Sequence, residues 1–405
     1  MEDLHFSEII ARAGLKAFNN LPKTGKPNSN QWTVLSCIVQ ENNSCCEVVA
    51  LGTGSKCIGT NKMSPVGDIL NDSHSEVICR RAFLLYLYEQ MENALLKKES
   101  IFFFCQKSLK FKSNDNVKYH FFSTMMPCGD ASIFPKCDDN NAGDVVGIEK
   151  CDLKDDRSVN SYEPLCKTMK GNDGDIYRTG AKCLESEEKK DPRGEGAAYH
   201  ITGVVRTKPG RGDPTLSVSC SDKMTKWCYL GLQGALMSIY LEEPIYLSTL
   251  TIVGNTPFCT ESLERAFYGR IVNLKLFPPY EGKKMIFQQA KDSIFHFQKS
   301  DQKEVCPSSI IWYKDAKKSE VAVEGRKQGI TKKTKHLESS RLKICKAELF
   351  KRFKSLYQHV NSNIDSLNYR QYKEIAKEYQ LNWNVLKYYL GKWPEKPNIL
   401  LELNQ

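Results

Sequence analysis

The chain has 405 residues, 40% of them apolar and 26% charged, which is the composition of an ordinary soluble globular protein. Its 16 cysteines are too dilute for a disulfide-rich secreted scaffold, so we expect most to be reduced and a few to bind metal. No apolar run approaches the length of a membrane helix, and the opening MEDLHFSEII lacks the features of a secretory signal. We therefore expect an intracellular protein, cytoplasmic or nuclear, that is neither secreted nor bound to a membrane.

The charge is distributed unevenly along the chain. The formal net charge is +10, and residues 314–354 hold 14 basic but only 5 acidic side chains. Residues 138–199 are acidic on balance, with 15 acidic and 10 basic side chains. A basic excess of this size predicts a polyanionic partner, either a nucleic acid or a smaller polyphosphate.

The first part of the chain predicts a helix, two strands and a second helix. Residues 1–20 carry apolar side chains at helical spacing, and strand-like runs follow at 32–39 and 47–51, joined by the polar turn ENNSCC. A strong helix is predicted to begin at NDSHSE, with the side chain of Asp72 or Ser73 as its N-terminal cap.

The rest of the chain continues this alternation. Strands are predicted at 100–106 and 117–123, and the second leads into a strand-to-helix junction at MPCGDASIF. The segment 138–199 is polar and has no stable period, which predicts a mobile surface insertion. The remaining predicted elements are a strand at 200–208, a helix from Cys220 to 241, a strand at 244–254, a helix at 260–272 and aromatic helices within 341–393.

Alternating strands and helices favour the α/β fold class. We expect a single domain over 1–405, with a three-layer α/β/α core at 32–275 built around a mixed sheet. The polar insertion at 138–199 interrupts this core. Residues 276–405 are expected to form a basic, α-rich extension packed on it.

Three separated residues together predict a catalytic metal site. His74, Cys128 and Cys220 are one imidazole and two thiols, and such a set can hold a tetrahedral Zn²⁺ while leaving the fourth position open for water. Glu76 follows His74 by two residues, so its carboxylate can reach that water without binding the metal. A zinc-activated water beside a glutamate is the machinery of hydrolytic nucleobase deamination.

The pattern departs from the zinc-deaminase signature H-x-E…P-C-x-x-C, because Ala131 stands where the second cysteine belongs. Cys220 lies 92 residues after Cys128 and can serve only if the fold brings it to the same place. Taken alone, a histidine in the position of His74 is more often a packed or capping residue than a metal ligand. The sequence therefore predicts a long-range convergence that a structure can test.

Several segments in the right order resemble the adenosine-to-inosine RNA deaminases. They are GTGSKCIG, NDSHSEVICRR, PCGDASIF, YRTGAKC, RTKPGRGD, SCSDKMTKWCYLGLQGAL and EEPIYLS, and a weaker likeness extends to about residue 396. The resemblance implies a cytidine-deaminase-like α/β/α fold. YRTGAKC and KPGRGD are similar to the branch that acts on alanine tRNA, which implies deamination of the adenosine 3′-adjacent to the anticodon.

The resemblance also implies roles for individual residues. His74, Cys128 and Cys220 would bind Zn²⁺, Glu76 would shuttle protons, and Ser55 with Lys56 would contact the target nucleotide. Asp72 and Lys208 would relay between the zinc site and a structural inositol hexakisphosphate. The matching positions for that polyphosphate are Arg80, Arg81, Lys223, Lys226, Lys346, Lys373 and Lys396, with Tyr369, Tyr379 and Trp393 beside them. The alternative for these cations is a solvated basic face that grips the tRNA backbone directly.

Two departures from the family bear on the substrate. Asp213 stands near the place where duplex-editing relatives have a glutamate, and no double-stranded-RNA-binding domain precedes the catalytic part, so an anticodon loop is the favoured target. Ser75 replaces the family's alanine, a change we expect to be neutral. The open alternatives are a deaminase of other structured RNA or of cytidine, and a non-catalytic tRNA-binding subunit. The presence of Glu76 argues against the last, and no obligate protein partner is predicted.

Overall fold

The structure is a computed structural model that describes residues 5–136, 175–184, 190–209, 213–361 and 367–403. Most of the predicted insertion, at 138–174 and 185–189, lies outside the described residues, as do residues 210–212 of the predicted PGRGD turn. The helices are α1 (Phe6–Asn20), α2 (Ser75–Leu95), α3 (Cys220–Leu230), α4 (Gly234–Ser238), α5 (Thr260–Glu264), α6 (Lys346–Asn361), α7 (Tyr369–Ile375) and α8 (Lys377–Leu390). The strands are β1 (Gln31–Trp32), β2 (Leu35–Asn42), β3 (Cys45–Thr53), β4 (Ser55–Cys57), β5 (Asp72–His74), β6 (Phe102–Cys105), β7 (Lys110–Ser113), β8 (Val117–Ser123), β9 (Lys182–Cys183), β10 (Arg206–Thr207), β11 (Thr249–Val253), β12 (Ile286–Ala290), β13 (Glu304–Val305), β14 (Ser308–Tyr313), β15 (Glu320–Val323) and β16 (Arg326–Lys327).

An eight-stranded mixed sheet forms the centre of the fold, as predicted. Its strand order is β12-β11-β8-β2-β3-β14-β15-β16. Strands β8, β11 and β12 run parallel to one another, whereas β2 is antiparallel to both β3 and β8. The neighbouring pairs β3–β14, β14–β15 and β15–β16 are all antiparallel.

Helices cover both faces of this sheet and make the three layers. Along β2, Cys37 and Val39 point into an apolar cluster with Phe18 of α1, whereas Ile38 belongs to the larger cluster that contains Phe83 of α2. The alternation along one strand explains why most of β2 is buried although its side chains face opposite sides. Burying an aliphatic or aromatic side chain of this size contributes about 1.5–3 kcal/mol.

Residues beyond 275 complete both the sheet and the helical layer. Strand β12 adds to one edge of the sheet beside β11, and β14, β15 and β16 extend the other edge beyond β3. Helix α6 packs on α2, and α8 packs on α3 and α4. The α-rich character predicted for 276–405 therefore holds for its last part, while its first part is largely strand and loop. None of the helices in the described part of the chain has the length and apolar character needed to cross a membrane.

Several local predictions were wrong at turns. The turn predicted over ENNSCC is confined to Asn43 and Ser44, which have φ of 48° and 64°, so the two cysteines after them begin β3. The single helix predicted from Cys220 to 241 is broken after Leu230. Gly231 has φ of 72°, a left-handed conformation that ends α3 and that glycine adopts without strain.

Three other elements are shorter than predicted. The helix expected at 260–272 is α5 followed by a π-helical turn over Arg265–Gly269. The strand expected at 200–208 is reduced to β10, and the junction at MPCGDASIF continues into a single 3₁₀ turn, Asp130–Ser132. In each case the local pattern indicated the element type, but contacts with distant segments set its length.

Candidate metal centre and active site

The structure brings the three predicted metal ligands together. His74 is the last residue of β5 and immediately precedes α2, Cys128 lies between β8 and the 3₁₀ turn, and Cys220 is the first residue of α3. Nδ1 of His74 lies 3.7 Å from Sγ of Cys128 and 3.7 Å from Sγ of Cys220. All three ligand atoms lie within 4.8 Å of one another.

This donor set fits one tetrahedral zinc ion. Zn–S bonds of about 2.3 Å and Zn–N bonds of about 2.0–2.1 Å, at tetrahedral angles, place nitrogen and sulfur ligands about 3.6 Å apart. The observed separations of 3.7 Å agree with that value. Zinc also prefers imidazole and thiolate ligands, whereas hard cations such as Mg²⁺ prefer oxygen ligands.

Gly129 allows the Cys128 segment to pack against the start of α3. Its φ of 108° is one that other residues rarely adopt, and a Cβ at this position would lie 2.2 Å from Oγ of Ser219. The backbone N–H of Ser221 donates to the carbonyl of Cys128 at 3.0 Å, and the N–H of Gly129 donates to Oγ1 of Thr179 at 2.6 Å. The two cysteine-bearing segments are thus held against each other by backbone hydrogen bonds.

The environment of Cys128 favours its thiolate. Its pKa is lowered well below the usual value, mainly because the Cys220 thiol donates a hydrogen bond to it and also because Lys208 and His74 lie nearby. The backbone N–H of Cys220, at the N-terminus of α3, points at the Cys128 sulfur at 3.4 Å. Burial acts in the opposite direction and raises the pKa of Cys220.

Charged side chains connected by hydrogen bonds lead from Cys220 through Lys208 and Asp72 to Lys223. Nζ of Lys208 donates to Sγ of Cys220 at 3.1 Å and to Oδ2 of Asp72 at 2.8 Å, and Nζ of Lys223 also donates to that carboxylate. Burial alone would raise the pKa of Asp72, but the two ammonium groups hold it well below its usual range. The structure thus places Asp72 and Lys208 together, as the predicted relay requires.

The prediction that Asp72 or Ser73 caps α2 was wrong. Both residues lie in β5, and the N-cap is His74, which makes no side-chain capping hydrogen bond. The Asp72 carboxylate instead accepts the backbone N–H of His74 at 3.0 Å. The residue that resembled a cap in the sequence therefore holds the backbone of the predicted metal ligand His74.

Glu76 lies in the first turn of α2 and is only 4% exposed. Its Oε2 accepts a hydrogen bond from Oγ of Ser75 at 3.1 Å, and Oγ of Ser75 lies 2.7 Å from Oγ of Ser36. Glu76 is near enough to Cys220 to contribute to the raised pKa of that thiol. The serine that sequence reasoning treated as neutral thus contacts the predicted proton shuttle.

The predicted nucleotide contacts lie beside the metal ligands. Strand β4 pairs antiparallel with β5, so that Ser55 is opposite His74 and Lys56 is opposite Ser73. The loop after β4 approaches Asp213, whose Oδ1 accepts a hydrogen bond from Nδ2 of Asn61 at 3.1 Å.

A basic pocket of about 270 Å³ contains six of the seven cations predicted for the polyphosphate. Its charged lining residues are Arg80, Arg81, Lys226, Lys346, Lys373 and Lys396. Among the described residues that line it, none is a carboxylate. The seventh cation, Lys223, instead pairs with Asp72. Tyr369 and Tyr379 line the pocket, whereas Trp393 packs edge-on against the lining residue Trp383, with ring centroids 4.9 Å apart.

Within the part of the chain that the structure describes, no carboxylate lines this pocket to offset its positive charges. Burial, together with Lys396, Arg81 and Lys373, lowers the pKa of Lys346 to about 7. Burial and neighbouring cations also hold the pKa of Lys226 well below its usual range, and its Nζ lies 3.4 Å from the centroid of the Trp383 ring. Such a pocket is stabilised by an anion that restores the charged form of its lysines.

Sequence reasoning missed three residues at these two sites. Thr179, Ser75 and Trp383 make the contacts described above, but each is a common residue type in a segment selected for other reasons. The contacts of Thr179 and Trp383 depend on long-range pairing of segments, and that of Ser75 depends on the side-chain geometry at the start of α2.

Known proteins with similar sequences indicate the family of this chain. The family profile described as "Adenosine-deaminase (editase) domain" matches residues 50–397. The protein named tRNA-specific adenosine deaminase 1 of Drosophila melanogaster is 35% identical over 98% of this chain and 96% of its own length, and that of Homo sapiens is 33% identical over 93% and 95%. The double-stranded RNA-specific adenosine deaminase of Mus musculus is 28% identical over 97% of this chain but only 32% of its own length. The chain therefore belongs to the adenosine-deaminase (editase) family.

Proposed function

We propose that this chain is a zinc-dependent tRNA adenosine deaminase that converts the adenosine 3′-adjacent to the anticodon of alanine tRNA to inosine. The observation that carries the proposal is the convergence of His74, Cys128 and Cys220 beside the buried carboxylate of Glu76. The named tRNA-specific relatives match nearly their whole length, which supports tRNA rather than duplex RNA as the substrate class.

In the proposed site, the imidazole of His74 and the thiolates of Cys128 and Cys220 would hold the zinc ion. When bound there, zinc supplies Lewis-acid activation of water at neutral pH. Nζ of Lys208 donates to the Cys220 sulfur, which helps to keep that ligand in its charged form. Asp72 holds both Lys208 and the backbone of His74, so it orients two sides of the site at once.

Glu76 carries the proton transfers of the reaction. Its carboxylate takes a proton from the attacking water and delivers it to N1 of the adenine ring, then passes a second proton to the amino group at C6. The net reaction consumes one water and releases inosine and ammonia. The hydrogen bond from Ser75 fixes one carboxylate oxygen, which leaves the other to face the reacting atoms. Ser55 and Lys56, on the strand paired with β5, are placed to contact the sugar and phosphate of the target nucleotide.

We also propose that the basic pocket holds inositol hexakisphosphate as a structural cofactor. Six cations without a carboxylate in the lining match a ligand that carries many phosphate charges. Because the lining comes from α2, α3 and the helices after 345, the ligand would join the predicted core at 32–275 to the extension at 276–405 within one domain spanning 1–405.

The proposed activity can be tested with the purified, zinc-loaded chain and a transcript of alanine tRNA. Digestion and mass spectrometry of the product should show about one inosine per tRNA at the position 3′ to the anticodon. A transcript with guanosine at that position and the Glu76→Gln variant are the matched controls, and both should yield no inosine. Inosine in other structured RNA but not in tRNA, uridine formed from cytidine, or tRNA binding without any conversion would each contradict the proposal.

A further inference from the structure

A second basic cavity, of about 600 Å³, lies between the β15–β16 hairpin and the loop that follows β4. Five cationic residues line it, and we call it the lysine groove: Lys62, Arg326, Lys327, Lys332 and Lys335. It shares no lining residue with the basic pocket described above. Neither the predicted metal site nor the predicted polyphosphate site uses these side chains.

One acidic residue, Glu324, lies in the lining of the groove beside the five cations. Residues 326–336 contain five lysine or arginine residues and no acidic residue. Arg326 pairs with Asp68 at 2.9 Å, and Lys327 pairs with Glu320 at 3.2 Å. Across the described part of the chain, Lys332 and Lys335 form no ion pair, and both are exposed. Their charge is therefore available to an external anion.

The lysine-bearing loop is held in a defined conformation. Nη1 of Arg326 donates to the carbonyl of Lys335 at 2.8 Å. Oγ of Ser340, a fully buried residue, lies within hydrogen-bond distance of the same carbonyl, at 2.9 Å, and of the carbonyl of Leu337, at 2.7 Å, and its single O–H can donate to either. The ammonium groups are thus presented from an anchored backbone, which lowers the entropy lost when a ligand binds.

The groove adjoins the site where the target nucleotide is proposed to bind. Its lining residue Ile58 lies three residues beyond Ser55, which corresponds to about 10 Å at the rise of an extended strand. On the other side, the backbone N–H of Leu70, two residues before Asp72, donates to the carbonyl of Gly325 in the hairpin turn at 2.9 Å. The hairpin is therefore attached to the segment that leads into His74.

From these observations we propose that the lysine groove binds backbone phosphates of the RNA substrate, on the strand that flanks the target nucleotide. The inference rests on the proposed function and adds to it a substrate contact. No aromatic residue lines the groove, so it has no platform for base stacking and no anchor of the kind that dominates protein–protein interfaces. Contacts of this type position an RNA without reading its sequence.

The test compares two pairs of exposed lysines in the full-length, zinc-loaded protein. The test variant is Lys332→Ala/Lys335→Ala. The matched control is Lys317→Ala/Lys318→Ala, which removes the same charge from the turn at the other end of β15. The dissociation constant for alanine tRNA is measured across a salt series, together with kcat and KM for deamination.

For the groove variant we expect a roughly tenfold weaker tRNA affinity near physiological salt. The slope of log K against log salt should fall in magnitude by about 1.5, because each lost phosphate contact contributes roughly 0.7–0.9. KM should rise in parallel, while kcat at saturating tRNA stays at the wild-type value because the metal site is untouched. The control pair should change affinity by less than about twofold.

Two results would overturn the inference. One is an equal loss of tRNA affinity in both variants, which would mean that only the net charge of the protein determines binding. The other is unchanged tRNA binding by the groove variant; if binding of polyglutamate is lost at the same time, the groove belongs to an acidic protein partner. A wild-type protein that binds tRNA through these lysines without deaminating it would support the groove and refute the proposed function, so the two failures are distinguishable.

Discussion

The clearest energetic prediction concerns Lys346 in the basic pocket. Its pKa of about 7 in the folded protein lies below the ordinary lysine value of 10.5, with burial as the first cause. In the absence of a bound polyanion, the unfolded chain therefore holds more protons than the folded chain between these two pH values. By linkage, stability must rise with pH above 7, and the destabilisation from this ammonium group is fully present below pH 7.

The size of the effect follows from that pKa. Between pH 7 and pH 9, a single amine with these two pKa values changes the free energy of unfolding by about 2 kcal/mol. Replacing Lys346 with methionine removes the titrating group and keeps the length of the side chain. Between pH 7 and pH 9, the free energy of unfolding of the wild-type protein should therefore rise by about 2 kcal/mol relative to that of Lys346→Met. The carbonyl of Leu400, which accepts a hydrogen bond from Lys346, adds a pH-independent offset of about 1 kcal/mol.

The assay is urea unfolding of polyphosphate-free protein at several pH values, with the exposed Lys343→Met variant as a matched control. The difference between wild type and Lys346→Met isolates the buried amine from the other groups that titrate. Saturating inositol hexakisphosphate should abolish the pH dependence of that difference, since the anion keeps the amine charged. A difference that stays constant within about 0.5 kcal/mol from pH 7 to pH 9 in the polyphosphate-free protein would refute the reasoning.

Three further substitutions test the catalytic site. Glu76→Gln should lower kcat by at least about 100-fold with zinc content unchanged in elemental analysis; full activity would remove Glu76 from its role. Ser75→Ala should lower kcat by about tenfold at constant KM through loss of the hydrogen bond to Glu76, and Ser75→Thr, which keeps a hydroxyl group, should recover part of it. Gly129→Ala should lose zinc and about 2 kcal/mol or more of stability, because its Cβ would clash with Ser219; a stable, zinc-replete variant would contradict the packing described here.

The predicted metal ligands were identified through the resemblance to the RNA deaminases. The H-x-E and P-C patterns are weak signals by themselves, and Ala131 breaks the usual zinc-deaminase signature. The sequence could not show that the fold places Cys220 next to Cys128. That convergence depends on Gly129, on the backbone bond from Ser221, and on the ordering of β8 and α3 in the fold.

The charged groups were harder to assign, because a lysine side chain looks the same in the sequence whatever anion it meets. Lys223 was grouped with the polyphosphate ligands; it pairs with Asp72 and is also near enough to Lys396 of the basic pocket to lower the pKa of that lysine. Asp72 itself resembled a helix cap, since an acidic residue before a helix usually has that role. Its actual partners lie 136 and 151 residues away, beyond the reach of any local pattern.

The edges of the sheet were missed for a different reason. Strands β12 and β14 to β16 are short, and their local sequence pattern is too brief to distinguish them from loops until neighbouring strands pair with them. Pairing of β14 with β3, and of β12 with β11, supplies the order that local propensity lacks.

The central claim is that His74, Cys128 and Cys220 share one zinc ion. X-ray absorption spectroscopy at the zinc edge of the purified protein tests this most directly. The account predicts one zinc per chain with two sulfur ligands at about 2.3 Å and one imidazole nitrogen at about 2.0–2.1 Å, and the loss of that signal in Cys220→Ala. A zinc-free protein, or a zinc shell without sulfur that survives the substitution, would contradict it.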